Sequence, residues 1–297
     1  MTTAKKELNQ EAVTYKKQSQ LKEIWRRFRK GKGAMIGLIM IGLITALLLI
    51  GPFFVDYDMA IEQDYSKILM TPNSEHIFGC DGYGRDIFAR IIYGGRTSLG
   101  IALIATFTSC VFGSALGAIA GYFGGKVDSL IMRSLDIFMS VPDILFTMAV
   151  VVALGASQVN LIIALTLAYF SNYVRLVRSQ VLSLSEQDYV EAARAGGASN
   201  ARIIIQHILP NAIGVIIVNV TLNVAKIIIY ESTLSFLGLG MKPPAPEWGV
   251  MLSEAREFMR RAPHLLIFPA ASIVFCACSV NLVGDGLRDA LDPHLKS

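Results

Sequence analysis

The stretch Glu186–Asn211, EQDYVEAARAGGASNARIIIQHILPN, is a polar, charged island set between two long apolar runs. Its ends and middle carry helix punctuation. Ser185 followed by Asp188 has the S-x-x-D form of a capping box, which predicts a helix starting there. Acids at Glu186, Asp188 and Glu191 precede Arg194, the order that a helix macrodipole favours. Ala192 and Ala193 form helix readily and carry almost no side chain, so a partner's backbone can approach them closely. Gly196 and Gly197 then break the helix, because glycine alone takes positive φ without cost. Ser199 or Asn200 caps a second short helix whose apolar side carries Ile203, Ile204 and Ile208, and Pro210 punctuates the next segment. A helix–Gly–helix hairpin between two apolar spans is a surface for docking rather than for catalysis.

The runs on either side belong to a membrane protein. Of 297 residues, 53% are hydrophobic and 17% charged, against roughly 25% charged in soluble domains. Six spans are expected, at about 34–55, 97–123, 128–154, 161–182, 211–236 and 264–283, each long enough for a ~30 Å hydrocarbon core. Residues 1–33 form a basic arm, with a short interfacial helix around Ile24, Trp25 and Phe28; ten of the 27 lysines and arginines lie in the first 32 positions. By the positive-inside rule the N-terminus is cytoplasmic, and six spans return the C-terminus to the same side. No folded domain presents the arm to nucleic acid, so no nucleic-acid partner is expected. The first span is too long for a signal-peptide core, lacks a small-residue cleavage site and reads as an anchor. Residues 34–296 then make one transmembrane domain, with an acid-rich extracytoplasmic loop at 56–95 and an amphipathic outer helix over 251–261. Arg175 and Arg178 close the fourth span and place the polar island, 186–210, in the cytoplasm.

Some polar residues fall inside the spans. Arg133, Asp136, Ser140 and Asp143 recur at spacings of three, four and three, and so share one face of a helical third span. Asn219, Asn223, Lys226 and Tyr230 do the same on the fifth, followed by Glu231. Ionisable groups in a membrane are costly and face a bundle interior or an aqueous cavity. Arg133, Asp136, Asp143, Asn219, Asn223, Lys226, Tyr230 and Glu231 are therefore the candidates for facing a path or a partner subunit. A cytoplasmic-end ion pair between Arg133 and Asp136, and interhelical hydrogen bonding by the second stripe, are the alternatives. Pro142 is expected to bend the third span. Gly113, Gly117 and Gly121 give the second span a smooth stripe for close helix contact.

Catalytic and metal constellations are not expected. Cys110, Cys276 and Cys278 sit in apolar runs, and no cysteine pair has C-x-x-C spacing or zinc-ligand company. Cys80 is expected to be the only cysteine outside the membrane and hence open to an impermeant thiol reagent. His76, His207, His264 and His294 are scattered, and H-E-x-x-H is absent from the sequence. Gly124-Gly125-Lys126 is followed by Val127 and is no P-loop, so no nucleotide or other cofactor is expected on this chain.

Glu191-Ala192-Ala193, then Gly197, then Leu209-Pro210 resembles the EAA loop of ABC-importer permeases, with His207 where the general pattern has isoleucine. Phe78-Gly79-Cys80-Asp81-Gly82-Tyr83-Gly84-Arg85-Asp86, with Arg90, Gly94 and Arg96, looks like a signature of dipeptide and oligopeptide permeases; Arg85 and Asp86 suit local ion pairs. Glu231-Ser232-Thr233-Leu234-Ser235-Phe236-Leu237-Gly238-Leu239-Gly240, with Pro243-Pro244 and Pro246-Glu247-Trp248-Gly249, is similar to the C-type subunit of that family. Gly286-Leu287-Arg288-Asp289 and Leu291-Asp292-Pro293 are similar to its C-terminal signature.

The resemblance implies an all-α protein of the bacterial cytoplasmic (inner) membrane with the type I ABC importer permease fold. It implies ATP-driven import of di- or oligopeptides, with Glu191, Ala192, Ala193, Gly197, Leu209 and Pro210 coupling this chain to the ATPase. The implied partners are a homologous second permease in a heterodimer, two ATPase subunits that bind the ATP and Mg, an extracytoplasmic substrate-binding protein, and membrane lipid. Permeases for nickel or another metal chelate share these signatures and stand as the alternative substrate class. An ATP-independent secondary transporter would carry an inverted repeat and helices broken at the midplane, and neither is legible in the sequence.

Overall fold

The computed structural model describes residues 20–291, which are helical apart from loops and one isolated bridge between Cys80 and Asp86. In chain order the helices are α1 (Gln20–Lys30), α2 (Lys32–Ile50), α3 (Asp58–Ile61), α4 (Ile87–Phe123), α5 (Gly125–Met139) and α6 (Asp143–Leu154). They continue as α7 (Gln158–Ser185), α8 (Asp188–Ala195), α9 (Asn200–Arg202), a π-helical segment (Ile203–Ile208), α10 (Leu209–Phe236), α11 (Trp248–Ala255) and α12 (His264–Leu291). Residues 1–19 of the basic arm, and Asp292, Pro293 and His294 of the tail, lie outside the described residues.

Among the described residues, five stretches are long and apolar enough to cross a membrane, containing α2, α4, α7, α10 and α12. Helices α5 and α6 make a sixth candidate when taken together as one span, and they are bent by 83° at their junction. The expected continuous span over 128–154 is thus two half-helices. Pro142 supplies the physical reason: it has no N–H to donate and holds an extended backbone (φ −53°, ψ 134°) where α6 begins. A broken membrane helix, not legible in the sequence, is therefore present.

The second crossing also differs. Asp86 caps α4 by accepting from the Ala89 amide at 2.7 Å, so the helix starts ten residues before the expected span and the outer loop ends at Asp86. Its 37 residues rise about 55 Å, well beyond a ~30 Å hydrocarbon core, and the first turns stand outside. Against α7 the glycine stripe performs as expected. A Cβ on Gly113, Gly117 or Gly121 would meet the carbonyl oxygens of Phe170, Val174 and Arg178 at 2.5, 2.6 and 2.9 Å, so the two backbones touch.

The main core gathers residues from α2, α4, α6, α7, α10, α11 and α12, among them Ile101, Leu165, Ile228, Trp248 and Cys276. The outer helix expected over 251–261 begins and ends earlier than expected and has one buried face. Met251 and Ala255 pack inward, while Arg256, Glu257, Met259, Arg260 and Arg261 beyond its end are exposed. Helix α11 starts at Trp248, which is buried and donates its indole N–H to the Ile91 carbonyl at 3.0 Å. Glu247 caps it, accepting from the Gly249 and Val250 amides and from Ser98 Oγ. Ile36, Ile39, Leu43 and Leu49 of α2 stay more than half exposed, an apolar surface suited to lipid.

Candidate functional site

The polar island folds as the expected hairpin, but its first cap is different. Helix α7 runs on through Ser185, whose hydroxyl donates back to the Leu182 carbonyl at 2.9 Å and so caps nothing. Gln187 takes the N-cap position of α8 without a side-chain hydrogen bond. At the other end of α8 the backbone closes a Schellman motif. The Ala198 amide bonds to the Ala193 carbonyl and the Gly197 amide to the Arg194 carbonyl, both at 3.1 Å. Gly197 carries the left-handed conformation (φ 79°), whereas Gly196 keeps φ −73° and caps in the right-handed region. Ser199, not Asn200, caps α9.

The hairpin is anchored on one side and open on the other. Val190, Ile203, Ile208, Ala212 and Ile216 pack against Ala118 of α4 and Val177 and Val181 of α7. Tyr122, near the end of α4, donates its hydroxyl to Asn200 Oδ1 at 3.0 Å, and the Arg194 guanidinium lies 5.8 Å from its ring centre. One aromatic side chain therefore touches both halves of the hairpin. Asn211 Nδ2 contacts the Tyr189 hydroxyl at 3.4 Å and donates to the His207 carbonyl at 2.6 Å. Glu191, Ala192, Arg194 and Pro210 remain exposed, while Ala193 and Leu209 are half-buried.

Between hairpin and span lies the π-helical segment. The Leu209 amide reaches back five residues to the Ile204 carbonyl, and Pro210 cannot donate to the carbonyl of Gln206. The wide turn is the local solution to that missing donor. It makes 200–236 one continuous helical rod from α9 to the outer end of α10.

The candidate path residues separate into groups. Asp136 pairs with Arg175 of α7 at 2.7 Å rather than with Arg133, and Asp128 binds Arg178 through both its oxygens. These are two rungs joining α5 to α7. The break sets Ser140 and Asp143 apart from the α5 face, so the expected single stripe does not form. On α10, Asn223 is buried beside Tyr173, Asn219 is turned onto its own helix, donating to the Val215 carbonyl at 3.2 Å, and Lys226 is exposed. Glu231 is fully buried next to Glu247, with Ser232 Oγ donating to it at 3.2 Å. Tyr230 meets Tyr169 of α7 edge-on, ring centres 5.5 Å apart, and Asp143 lies within electrostatic reach of the same Tyr169. Tyr169, which helical spacing does not single out, thus packs against Tyr230, with Lys226 one turn before Tyr230 on α10.

At the outer end, Arg85 and Arg90 are almost wholly buried. Asp81 Oδ2 accepts from Arg85 Nε and Arg90 Nη1, and Glu254 Oε2 accepts from both Nη2 atoms, at 2.7–2.8 Å throughout. Arg85 thus finds its local partner in Asp81, and Asp86 holds His76 Nδ1 at 2.8 Å. Cys80 lies in this outer loop, as expected, but is fully buried, and burial, helped by Asp86, pushes its thiol up to about 11. It is therefore not open to reagents. Glu254, more than 160 residues away in sequence, offers no local signal. Glu247 caps α11 although glutamate is not among the preferred N-cap types, so its role offers no local signal either.

A family model described as "binding-protein-dependent transport system inner membrane component" matches residues 113–297, and another, "N-terminal TM domain of oligopeptide transport permease C", matches 19–72. The dipeptide transport system permease protein DppC of Alkalihalophilus pseudofirmus is 44% identical over 276 residues, 93% of this chain and 90% of that one. Its namesake from Haemophilus influenzae is 40% identical, covering 96% and 98%. The glutathione transport system permease protein GsiD of Escherichia coli O157:H7 is 42% identical, covering 92% and 90%. Among solved structures, the MetNI methionine ABC transporter in an inward-facing conformation is similar over 68% of this chain and 97% of that one, with a TM-score of 0.54 at 19% identity. That last likeness is one of fold.

Proposed function

The chain belongs to the family of inner membrane components of binding-protein-dependent transport systems, and from that premise we propose that it is the C-type permease subunit of an ATP-driven importer of short peptides. The substrate class accords with the relatives, whose names specify dipeptides and glutathione, itself a small peptide. A homologous permease supplies the other half of the path, an extracytoplasmic binding protein delivers the substrate, and two ATPase subunits hold the ATP and Mg. The observation that carries the coupling role is the build of the hairpin. Its outer face, with Glu191 and Ala192, is exposed and unobstructed, while its inner face is joined to α4, α7 and α10. A push on α8 reaches the spans because the Schellman turn, the Ser199 cap and Tyr122 leave few soft joints. The spans then rock between two packings, which is alternating access.

The test replaces residues on that face in the reconstituted complex. Gly197→Val forces a β-branched residue to φ 79°, at about 1–2 kcal/mol, although no atom lies within 4 Å of the added Cβ. Gly197→Asn, which tolerates this conformation, serves as the control. Glu191→Lys reverses the charge that faces the ATPase. Gly197→Val and Glu191→Lys are expected to insert normally yet lose ATPase co-purification or binding-protein-stimulated hydrolysis, together with dipeptide uptake. Normal values of all three in both variants would remove the hairpin as the coupling element.

A further inference from the structure

We infer that Asp143 and Lys226, placed around Tyr169 and Tyr230 at the level of the α5–α6 break, are this subunit's contact with the two charged termini of a peptide in transit. The carboxylate meets the ammonium end and the lysine meets the carboxylate end. The inference rests on the proposed importer function and adds to it the chemistry by which the path holds its cargo.

Charge pairing is the first observation. Asp128 and Asp136 both have arginine partners on α7, but among the described residues neither Asp143 nor Lys226 has an ion-pair partner. Lys226 is exposed and Asp143 half-exposed. A lone charge facing hydrocarbon is expensive, so this face meets the aqueous path or the second permease that borders it rather than lipid. Depth is the second observation. From Asp143 to the outer end of α6 at Leu154, and from Gln158 to Tyr169 on α7, the helical rise is about 16 Å in each case. Both residues therefore lie near the middle of a ~30 Å core. Tyr230 touches Tyr169 and so shares that level. Lys226 sits about 6 Å further toward the cytoplasm, about 15 Å from Phe236 and about 25 Å from Leu209, too deep to snorkel to either surface.

An acid and a base offset by about 6 Å along the path match the ends of an extended dipeptide, which spans at most about 7 Å. Tyr169 is buried in the core and backs Tyr230, which is half-exposed and whose hydroxyl, able both to donate and to accept, suits the amide between. Recognition of termini rather than side chains lets one path carry many sequences.

The experiment uses the complete transporter, reconstituted in vesicles with its binding protein and a labelled dipeptide. With native cysteines replaced, Lys226→Cys and Asp143→Cys are each treated with a charged, water-soluble thiosulfonate. Both are expected to react, and several-fold more slowly while loaded binding protein and ATP drive transport. In parallel, Lys226→Gln and Asp143→Asn are expected to lower dipeptide moved per ATP hydrolysed about tenfold, the worth of one charge-assisted contact. Lys226→Arg, which keeps the charge, retains the yield. Cysteines that do not react, reaction indifferent to peptide, or neutral variants with wild-type yield each overturn the inference while leaving the importer function intact. A wild-type complex that takes up no dipeptide overturns both.

Discussion

Removing Glu254 should do more damage than removing it together with Arg90. The outer cluster holds two guanidiniums and two carboxylates, with the arginine side chains only 1% exposed against 12% and 16% for the acids. Glu254→Met deletes the shared acceptor of both Nη2 atoms and leaves two buried cations facing one anion. Breaking a buried pair from one side costs about 3–5 kcal/mol, because the stranded charge keeps its desolvation penalty. Arg90→Met leaves the opposite imbalance and should cost a similar amount. The double variant retains the balanced Arg85–Asp81 pair and replaces two charges by apolar side chains of similar length. It should therefore be more stable than either single variant and lie within about 1–2 kcal/mol of wild type. The assay is equilibrium unfolding of the purified permease in mixed micelles, with helix content as the signal. A double variant as unstable as the sum of the singles would show that the four residues do not act as one charge-balanced unit. Function should suffer too, because these bonds fasten the outer loop to α11 across more than 160 residues. The single variants should also lose stimulation by the binding protein.

Cys80 should react with a maleimide about a hundredfold more slowly than an ordinary thiol near pH 8, because a thiol raised to about 11 holds that much less thiolate. The rate should climb as pH approaches 11 and become fast on unfolding in SDS; prompt labelling of the native protein near neutrality would contradict its burial. Tyr122→Phe removes the hydroxyl bond to Asn200, about 1 kcal/mol, but keeps the ring beside Arg194, whereas Tyr122→Ala removes both. Uptake per ATP should fall slightly in the first and strongly in the second, and a wild-type ratio in Tyr122→Ala would show that Tyr122 carries no coupling.

What the sequence discloses divides along the range of the interaction. The hairpin is legible because glycine at φ 79° and a serine cap are one-residue decisions. The glycine stripe of α4 is legible because a repeat of four has one geometric meaning in a helix. Ser185 misleads for an equally local reason: a cap pattern is silent on whether the preceding helix has ended, and α7 had not. Spacing also says which residues share a face, but never what that face meets. Arg133 and Asp136 look like a pair until α7 brings Arg175 to Asp136. Asn223 and Lys226 look like one surface until packing buries the first and leaves the second exposed. Pro142 marks a bend in the sequence, yet only the fold gives its 83° and its consequence. A straight third span would carry Asp143 on the same face as Asp136, within reach of the α5–α7 rungs. The break instead detaches Asp143 from that face and sets it within electrostatic reach of Tyr169, opposite a helix that carries, about one turn deeper, a lysine without an ion-pair partner among the described residues. One proline thus turns a stripe suited to binding a neighbouring helix into a charge left over for something that passes.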